Sequence, residues 1–120
     1  MDEIKFANYG QDRELSATPE EIKVYEMISK ILEADGADVS HLSLIRKSSN
    51  YVTAALTFGG MGPYGLARIK YTDRAKWIWT SFDGKKKLQS LDDVQGFTEA
   101  FLNDYWQTID WLKESYPEVL

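Results

Sequence analysis

The chain has 120 residues, of which 43% are hydrophobic and 28% charged, and its 14 basic and 19 acidic side chains give a formal net charge of −5. It contains no cysteine, which excludes disulfides, thiolate metal sites and cysteine catalysis. No apolar run approaches the ~20 residues of a membrane span and the start does not resemble a signal peptide, so we expect a cytoplasmic protein without membrane association.

Residues 1–17 are predicted to form an N-terminal arm. This stretch is polar except for a short apolar patch at Ile4, Phe6 and Tyr9. The patch is compatible with a docked arm or an added edge strand, and a frayed tail is the alternative. We expect one domain over residues 18–116, followed by a short C-terminal tail at 117–120.

The first helix signal is Thr18-Pro19-Glu20-Glu21. Thr18 can cap a helix, Pro19 suits its first position, and Glu21 stands where a capping-box carboxylate reaches back. Apolar residues then recur at spacings of three and four, which is typical of one helical face. The pattern predicts a helix from about Pro19 to Asp35, with Gly36 as its stop.

The middle of the chain changes to the period of β-strands. Alternation and β-branched or aromatic residues predict four strands, at residues 41–45, 51–58, 66–71 and 76–82. The connections are short, which favours an antiparallel meander. The glycine-rich residues 59–65 are predicted to form a hairpin loop rather than a phosphate-binding loop, because they contain no Walker lysine and no dinucleotide-binding spacing. Residues 83–87 are predicted to be a charged turn.

A second helix is predicted from a cap at Ser90 to about Ser115, before Pro117. Its stripe at Phe97, Phe101, Tyr105 and Ile109 has helical spacing. The fold class is therefore α+β: a single domain in the order α-β-β-β-β-α, with a four-stranded antiparallel meander and two helices on one face.

The charges are unevenly distributed along the chain. Residues 1–36 contain four basic and nine acidic side chains, for a net charge of −5. Residues 37–87 contain nine basic and three acidic side chains, for +6, and residues 88–120 contain one and seven, for −6. The helices are predicted to point their carboxylates outward, because burying charges against the sheet is unfavourable unless each is paired. We expect an anionic helical side and a cationic sheet side.

Strand parity predicts which side chains face away from the core. The residues predicted to face inward are Ala67, Ile69, Tyr71, Ile78, Thr80 and Phe82. Those predicted to face outward on the third and fourth strands are Leu66, Arg68, Lys70, Trp77 and Trp79, together with Tyr51, Thr53 and Thr57 on the second. A register error of one residue would exchange the two sets.

The outward set combines cations with flat aromatic rings, the composition of stacking platforms for single-stranded nucleic acid. The candidate binding residues are Arg46, Tyr51, Arg68, Lys70, Trp77 and Trp79. The competing interpretation is that the tryptophans belong to the core and basic side chains lie over them. On the first interpretation the protein is a non-catalytic binding module for nucleic acid or an acidic protein partner.

The sequence offers little for catalysis or metal binding. His41 is the only histidine, and no nucleophile elbow occurs. An acid with a lysine two positions on, as in nucleases, occurs at Glu3-Ile4-Lys5 and Glu21-Ile22-Lys23, but on the arm and the first helix rather than on facing strands. We expect no catalytic residue, no metal, no cofactor and no nuclease activity, with a degenerate or unrecognised enzyme as the alternative.

The segment 46–52, followed by 66–78 (an R-K-S-x-N-Y and R-I-K-Y-T-x-R-A-K-W-I pattern), resembles a small uncharacterised α+β domain of Gram-positive bacteria and their phages. The resemblance covers about residues 19–112. In layout the chain is also similar to inactive relatives of restriction-endonuclease-like folds. This implies a stand-alone module or a phage accessory protein and assigns no catalytic residue. Two alternatives to the binding module stay open: an acidic phage or mobile-element inhibitor (a nucleic-acid mimic of anti-restriction or anti-CRISPR type), and a degenerate nuclease-like domain.

Overall fold

The computed structural model describes residues 6–7, 17–46 and 50–119. The helices are α1 (Pro19–Ala34) and α2 (Thr98–Ser115), and the strands are β1 (Phe6–Ala7), β2 (Leu42–Ile45), β3 (Val52–Phe58), β4 (Met61–Tyr71), β5 (Lys76–Thr80) and β6 (Gly84–Lys87). Strands β2 to β6 form an antiparallel meander in chain order. The α+β class is confirmed, with five antiparallel strands instead of the four predicted.

Part of the predicted N-terminal arm is an edge strand. β1 pairs in parallel with β2, and its two residues lie opposite Leu44 and Ile45. This pairing is the edge-strand alternative of the sequence prediction. The predictions for Ile4 and Tyr9 lie outside the described residues.

The predicted capping box opens α1 and also attaches the helix to the sheet. Thr18 Oγ1 accepts the Glu21 N–H at 3.1 Å, and Glu21 Oε1 accepts the Thr18 N–H at 2.9 Å. Glu21 Oε2 accepts the N–H of Tyr71 at 2.9 Å, while the Thr18 hydroxyl donates to the Tyr71 carbonyl at 2.7 Å. Both backbone groups at the end of β4 are therefore satisfied by the helix cap.

Strand β4 begins at Met61 rather than at Leu66, so most of the predicted glycine-rich loop is strand. Only Gly59 and Gly60 form the turn. Gly62 has φ +107°, and a Cβ there would lie 2.8 Å from the Leu56 carbonyl oxygen. The strand therefore needs glycine at this position, and the sequence pattern resembles that of a loop although the backbone pairs with β3.

A β-bulge in the β3–β4 pair overturns the prediction for Leu66. Ala54 lies opposite Ala67 whereas Ala55 lies opposite Gly65, so Leu66 is the extra residue. Leu66 is 2% exposed and packs in the core instead of facing outward. Parity counted along β4 fails here because a bulge resets the alternation of side chains.

The predicted charged turn at 83–87 is largely a strand. β5 ends at Thr80, and Gly84 opens β6 with φ +73°. The prediction that Phe82 faces the core is wrong: it lies in the turn between these strands and is 48% exposed. Asp83-Gly84 is a dipeptide typical of hairpins, and here it leads into the strand that pairs back with β5.

The C-terminal helical segment begins as a 3₁₀-helix at Leu91–Phe97 and continues as α2. Both helices contact one another and β4. The core between helices and sheet contains Ile28, Leu32, Phe101 and Leu112 from the helices and Leu44, Leu56, Ile69 and Ile78 from the strands. None of the helices in the described ranges combines the length and the hydropathy of a membrane-spanning segment.

Candidate functional site

The face of the sheet opposite the helices differs between its two halves. Over β2 and β3, its residues Ile45, Thr53 and Ala55 are buried. Over β4, β5 and β6 the same face presents charged and aromatic side chains, with Arg68 exposed and Trp79 half-buried. Ligand access to this face is therefore concentrated on the second half.

A groove of about 430 Å³ lies on this second half. We call it the cationic-aromatic groove; it is lined by Asn50, Tyr51, Arg68, Lys70, Trp77, Trp79 and Lys85. Strand register builds it, because Arg68 lies opposite Trp79 and Lys70 lies opposite Trp77. Alternation along each strand sends all four side chains to the same face, while Ile69 and Ile78 between them enter the core.

The aromatic rings of the groove hold the cations in place. The Arg68 guanidinium carbon lies 4.4 Å from the centroid of the Trp79 ring and 5.2 Å from that of Tyr51. Lys85 Nζ lies 4.5 Å from the centroid of the Trp77 ring. The centroids of the Tyr51 and Trp77 rings are 5.9 Å apart, and the two ring planes are tilted by 58°. Cation–π attraction of this kind fixes the position of a charge without neutralising it.

The groove is positively charged, since no carboxylate lines it. Among the described residues, Arg68, Lys70 and Lys85 have no acidic side chain within 4.0 Å. Three cations next to one another without counter-charges repel each other, and an anionic ligand relieves that repulsion. The geometry therefore suits an anion that also presents a flat surface.

Five of the six predicted binding residues line the groove. Arg46 does not line it; its Nη1 instead donates to the carbonyl of Tyr51 at 3.4 Å. The alternative that Trp77 and Trp79 belong to the core is wrong, because both lie outside the core cluster, although its expectation that basic side chains lie over the rings is correct.

Sequence reasoning missed two lining residues, Asn50 and Lys85. The sequence pattern predicts a turn at Lys85, whereas this residue lies on β6 opposite Trp79. The Asp83-Gly84 hairpin signal could have placed it there, since the strand after such a turn pairs back with the strand before it.

The residues considered for catalysis have structural contacts. The His41 ring lies 4.4 Å from that of Phe58, its Nδ1 is 3.2 Å from the Thr57 carbonyl, and its Nε2 is 3.6 Å from Asp38. Glu21 is occupied by the α1 cap, and Glu3 and Lys5 lie outside the described residues. In the described ranges no three His, Asp or Glu side chains come together as a metal site.

Comparison with protein-family models, curated proteins and solved structures finds no match to this chain. The function must therefore be inferred from the groove itself.

Proposed function

We propose that this protein is a non-catalytic module that binds single-stranded nucleic acid in the cationic-aromatic groove. The observation that supports this is the set of three cations without carboxylate partners, arranged among three aromatic rings on one sheet face. Basic grooves with aromatic surfaces are the usual way in which proteins hold single strands without reading their sequence.

Each component of the groove has a role in this proposal. Lys70 and Lys85 supply ammonium groups for phosphate oxygens, and the Arg68 guanidinium can take a phosphate with two hydrogen bonds. The plane of that guanidinium and the exposed parts of the tryptophan rings are surfaces on which unpaired bases can stack. A duplex keeps its bases stacked inside, so it would use only the cations.

An acidic protein partner is the competing ligand for the same cations. Its carboxylates would pair with the three cations, but they would not stack on the aromatic rings beside them. Nucleic acid uses both, which is why we prefer it.

Fluorescence anisotropy with a labelled 12-nucleotide oligo-dT at several salt concentrations tests the proposal. If Arg68, Lys70 and Lys85 each neutralise one phosphate, log K against log salt should have a slope of roughly −2. Exchanging Arg68 and Lys70 together for Glu should weaken binding at least about tenfold, because the charge at the groove is reversed. A double-stranded competitor of equal length should displace the single strand poorly.

A matched control separates the groove from net charge. Lys23→Glu with Lys30→Glu makes the same change in total charge at two exposed positions of α1. This variant should keep affinity within about threefold, since Debye screening limits long-range effects. Equal losses in the two double variants, or binding without salt dependence, would contradict a site in the groove.

A further inference from the structure

A second groove lies on the helical side of the sheet, away from the proposed nucleic-acid site. It has a volume of about 250 Å³ between α2, the start of β4 and the turn after β5. Its lining residues are Tyr64, Gly65, Ser81, Asp104, Gln107, Thr108 and Trp111. No basic side chain is among them. The lining is instead rich in hydrogen-bond acceptors and aromatic surface.

Asp104 is the unusual residue of this groove. The residue is 7% exposed, yet in the described part of the chain no Lys, Arg or His forms an ion pair with it. Its Oδ1 accepts the Ser81 hydroxyl at 2.9 Å and the Asn103 amide at 3.5 Å. Asp104 Oδ2 accepts no hydrogen bond from Ser81 or Asn103, and this oxygen keeps some contact with solvent. A buried carboxylate usually has a cation beside it, because desolvation is costly.

Trp111 provides the aromatic surface. It is 45% exposed, whereas tryptophan is highly buried on average. Its ring is held edgewise between Tyr64 and Tyr116, with centroids at 5.7 and 5.6 Å. The exposed indole therefore has two aromatic neighbours, and it lines the same groove as the partly satisfied carboxylate.

We infer that this groove binds an arginine side chain presented by a protein partner. The guanidinium would donate to Asp104 Oδ2 and lie against the Trp111 ring, combining a charge-assisted hydrogen bond with a cation–π contact. Arginine fits better than lysine because its planar, weakly hydrated group stacks on aromatic rings. The segment 88–120, with its net charge of −6, would attract a basic partner surface. This inference is independent of the proposed nucleic-acid binding, since the two grooves share no residue.

The test is an NMR titration that follows the Trp111 indole N–H, assigned by its loss in Trp111→Leu. The probe is N-acetyl-arginine amide, and its neutral counterpart is N-acetyl-citrulline amide. The arginine probe should saturate the shift with a dissociation constant of roughly millimolar order, as expected for so small a ligand. Citrulline should bind at least about tenfold more weakly, because it lacks the charge.

Two variants test whether the arginine probe binds at Asp104. Asp104→Asn keeps an oxygen for the Ser81 hydroxyl but removes the charge, and should weaken arginine binding about tenfold. Asp110→Asn, exposed on the same helix, makes the same change in net charge and should leave binding within about threefold. Equal binding of arginine and citrulline, or equal effects of the two variants, would overturn the inference. If Asp104→Asn does not fold, Trp111→Leu is used in its place, and binding of the arginine probe is followed at the Gln107 backbone amide. Binding that is retained in Trp111→Leu would contradict the inference.

Discussion

At the scale of single residues, Glu21 shows how one side chain serves both local and long-range structure. It is 3% exposed, and its two oxygens accept N–H groups from residues far apart in the sequence, Thr18 and Tyr71. A cap usually satisfies only its own helix. Here the same carboxylate also satisfies the backbone at the end of β4, so helix and sheet share one hydrogen-bonding group.

We predict that Glu21→Ala lowers the free energy of unfolding by roughly 2–4 kcal/mol, because two N–H donors lose a charged acceptor. The measurement is a urea titration. Glu20→Ala is the matched control, since it removes an acid from the same helical turn and should cost under about 1 kcal/mol. Similar losses in both variants would show that only the helix dipole matters.

A second prediction at this scale concerns Tyr25, whose hydroxyl donates to the Leu42 carbonyl at 3.1 Å. Burial raises the pKa of Tyr25 to about 12, above the ordinary value of 10.0. The unfolded state therefore loses the proton first, so this contribution to stability is complete below pH 10 and disappears as pH rises through 12. Tyr105 has its pKa raised in the same direction, first of all by burial.

Between pH 10 and 12 the wild-type protein should lose roughly 2 kcal/mol more stability than Tyr25→Phe, which has no proton to release there. Urea titrations at pH 8, 10 and 12 on both proteins give this difference directly. Lysines titrate equally in both proteins and cancel in the comparison. Parallel pH profiles would contradict a burial-shifted Tyr25.

At the scale of elements, α2 contributes buried side chains to the core between the helices and the sheet. Phe101 is fully buried, and its ring stacks on that of Phe97 at 6.1 Å, where the 3₁₀-helix passes into α2. The helical stripe predicted from the sequence is buried along its length, and α2 contacts β4 of the sheet. Another face of α2, which includes Asp104 and Trp111, lines the second groove.

Phe101→Ala should destabilise the protein by roughly 3–5 kcal/mol, since it leaves a large cavity among side chains that cannot collapse. Lys113→Ala, at an exposed position of α2, should change stability by under about 0.5 kcal/mol. Chemical denaturation of the two variants provides the measurement. A loss below about 1 kcal/mol for Phe101→Ala would mean that the buried face of α2 is misassigned.

At the scale of the whole molecule, the groove cations Arg68, Lys70 and Lys85 and the two helices lie on opposite faces of the sheet. No helix residue lines the cationic-aromatic groove, and its cations form no ion pairs with the acids of the described segments. The groove therefore keeps its charge available despite the net charge of −5. Separation of this kind orients a charged ligand toward one face.

Because Arg68 is exposed and Lys70 only half-buried, Arg68→Glu with Lys70→Glu should reduce stability by about 1 kcal/mol, mainly through the lost cation–π contacts. Thermal unfolding followed by circular dichroism measures this effect. A variant that fails to fold would show that these cations hold the domain together rather than serve a ligand.

The sequence by itself determined the features that depend on neighbours two to four positions away. The Thr18–Glu21 cap, the helical stripe through Phe101 and the alternation in β5 follow from local geometry, and they suffice for the α+β class. Alternation also placed Arg68, Lys70, Trp77 and Trp79 on one face, because parity within a regular strand needs no knowledge of its partner.

Only the tertiary structure determined the features that depend on pairing with another strand or on packing against a helix. The burial of Leu66 follows from a bulge that exists only in the β3–β4 pair, and Lys85 reaches the groove only because β6 pairs with β5. The hydrogen bond from Ser81 to Asp104 and the hydrogen bond from Tyr71 to Glu21 join elements that are far apart in the sequence. No local pattern encodes such contacts, since register and packing are set by which surfaces the folded chain brings together.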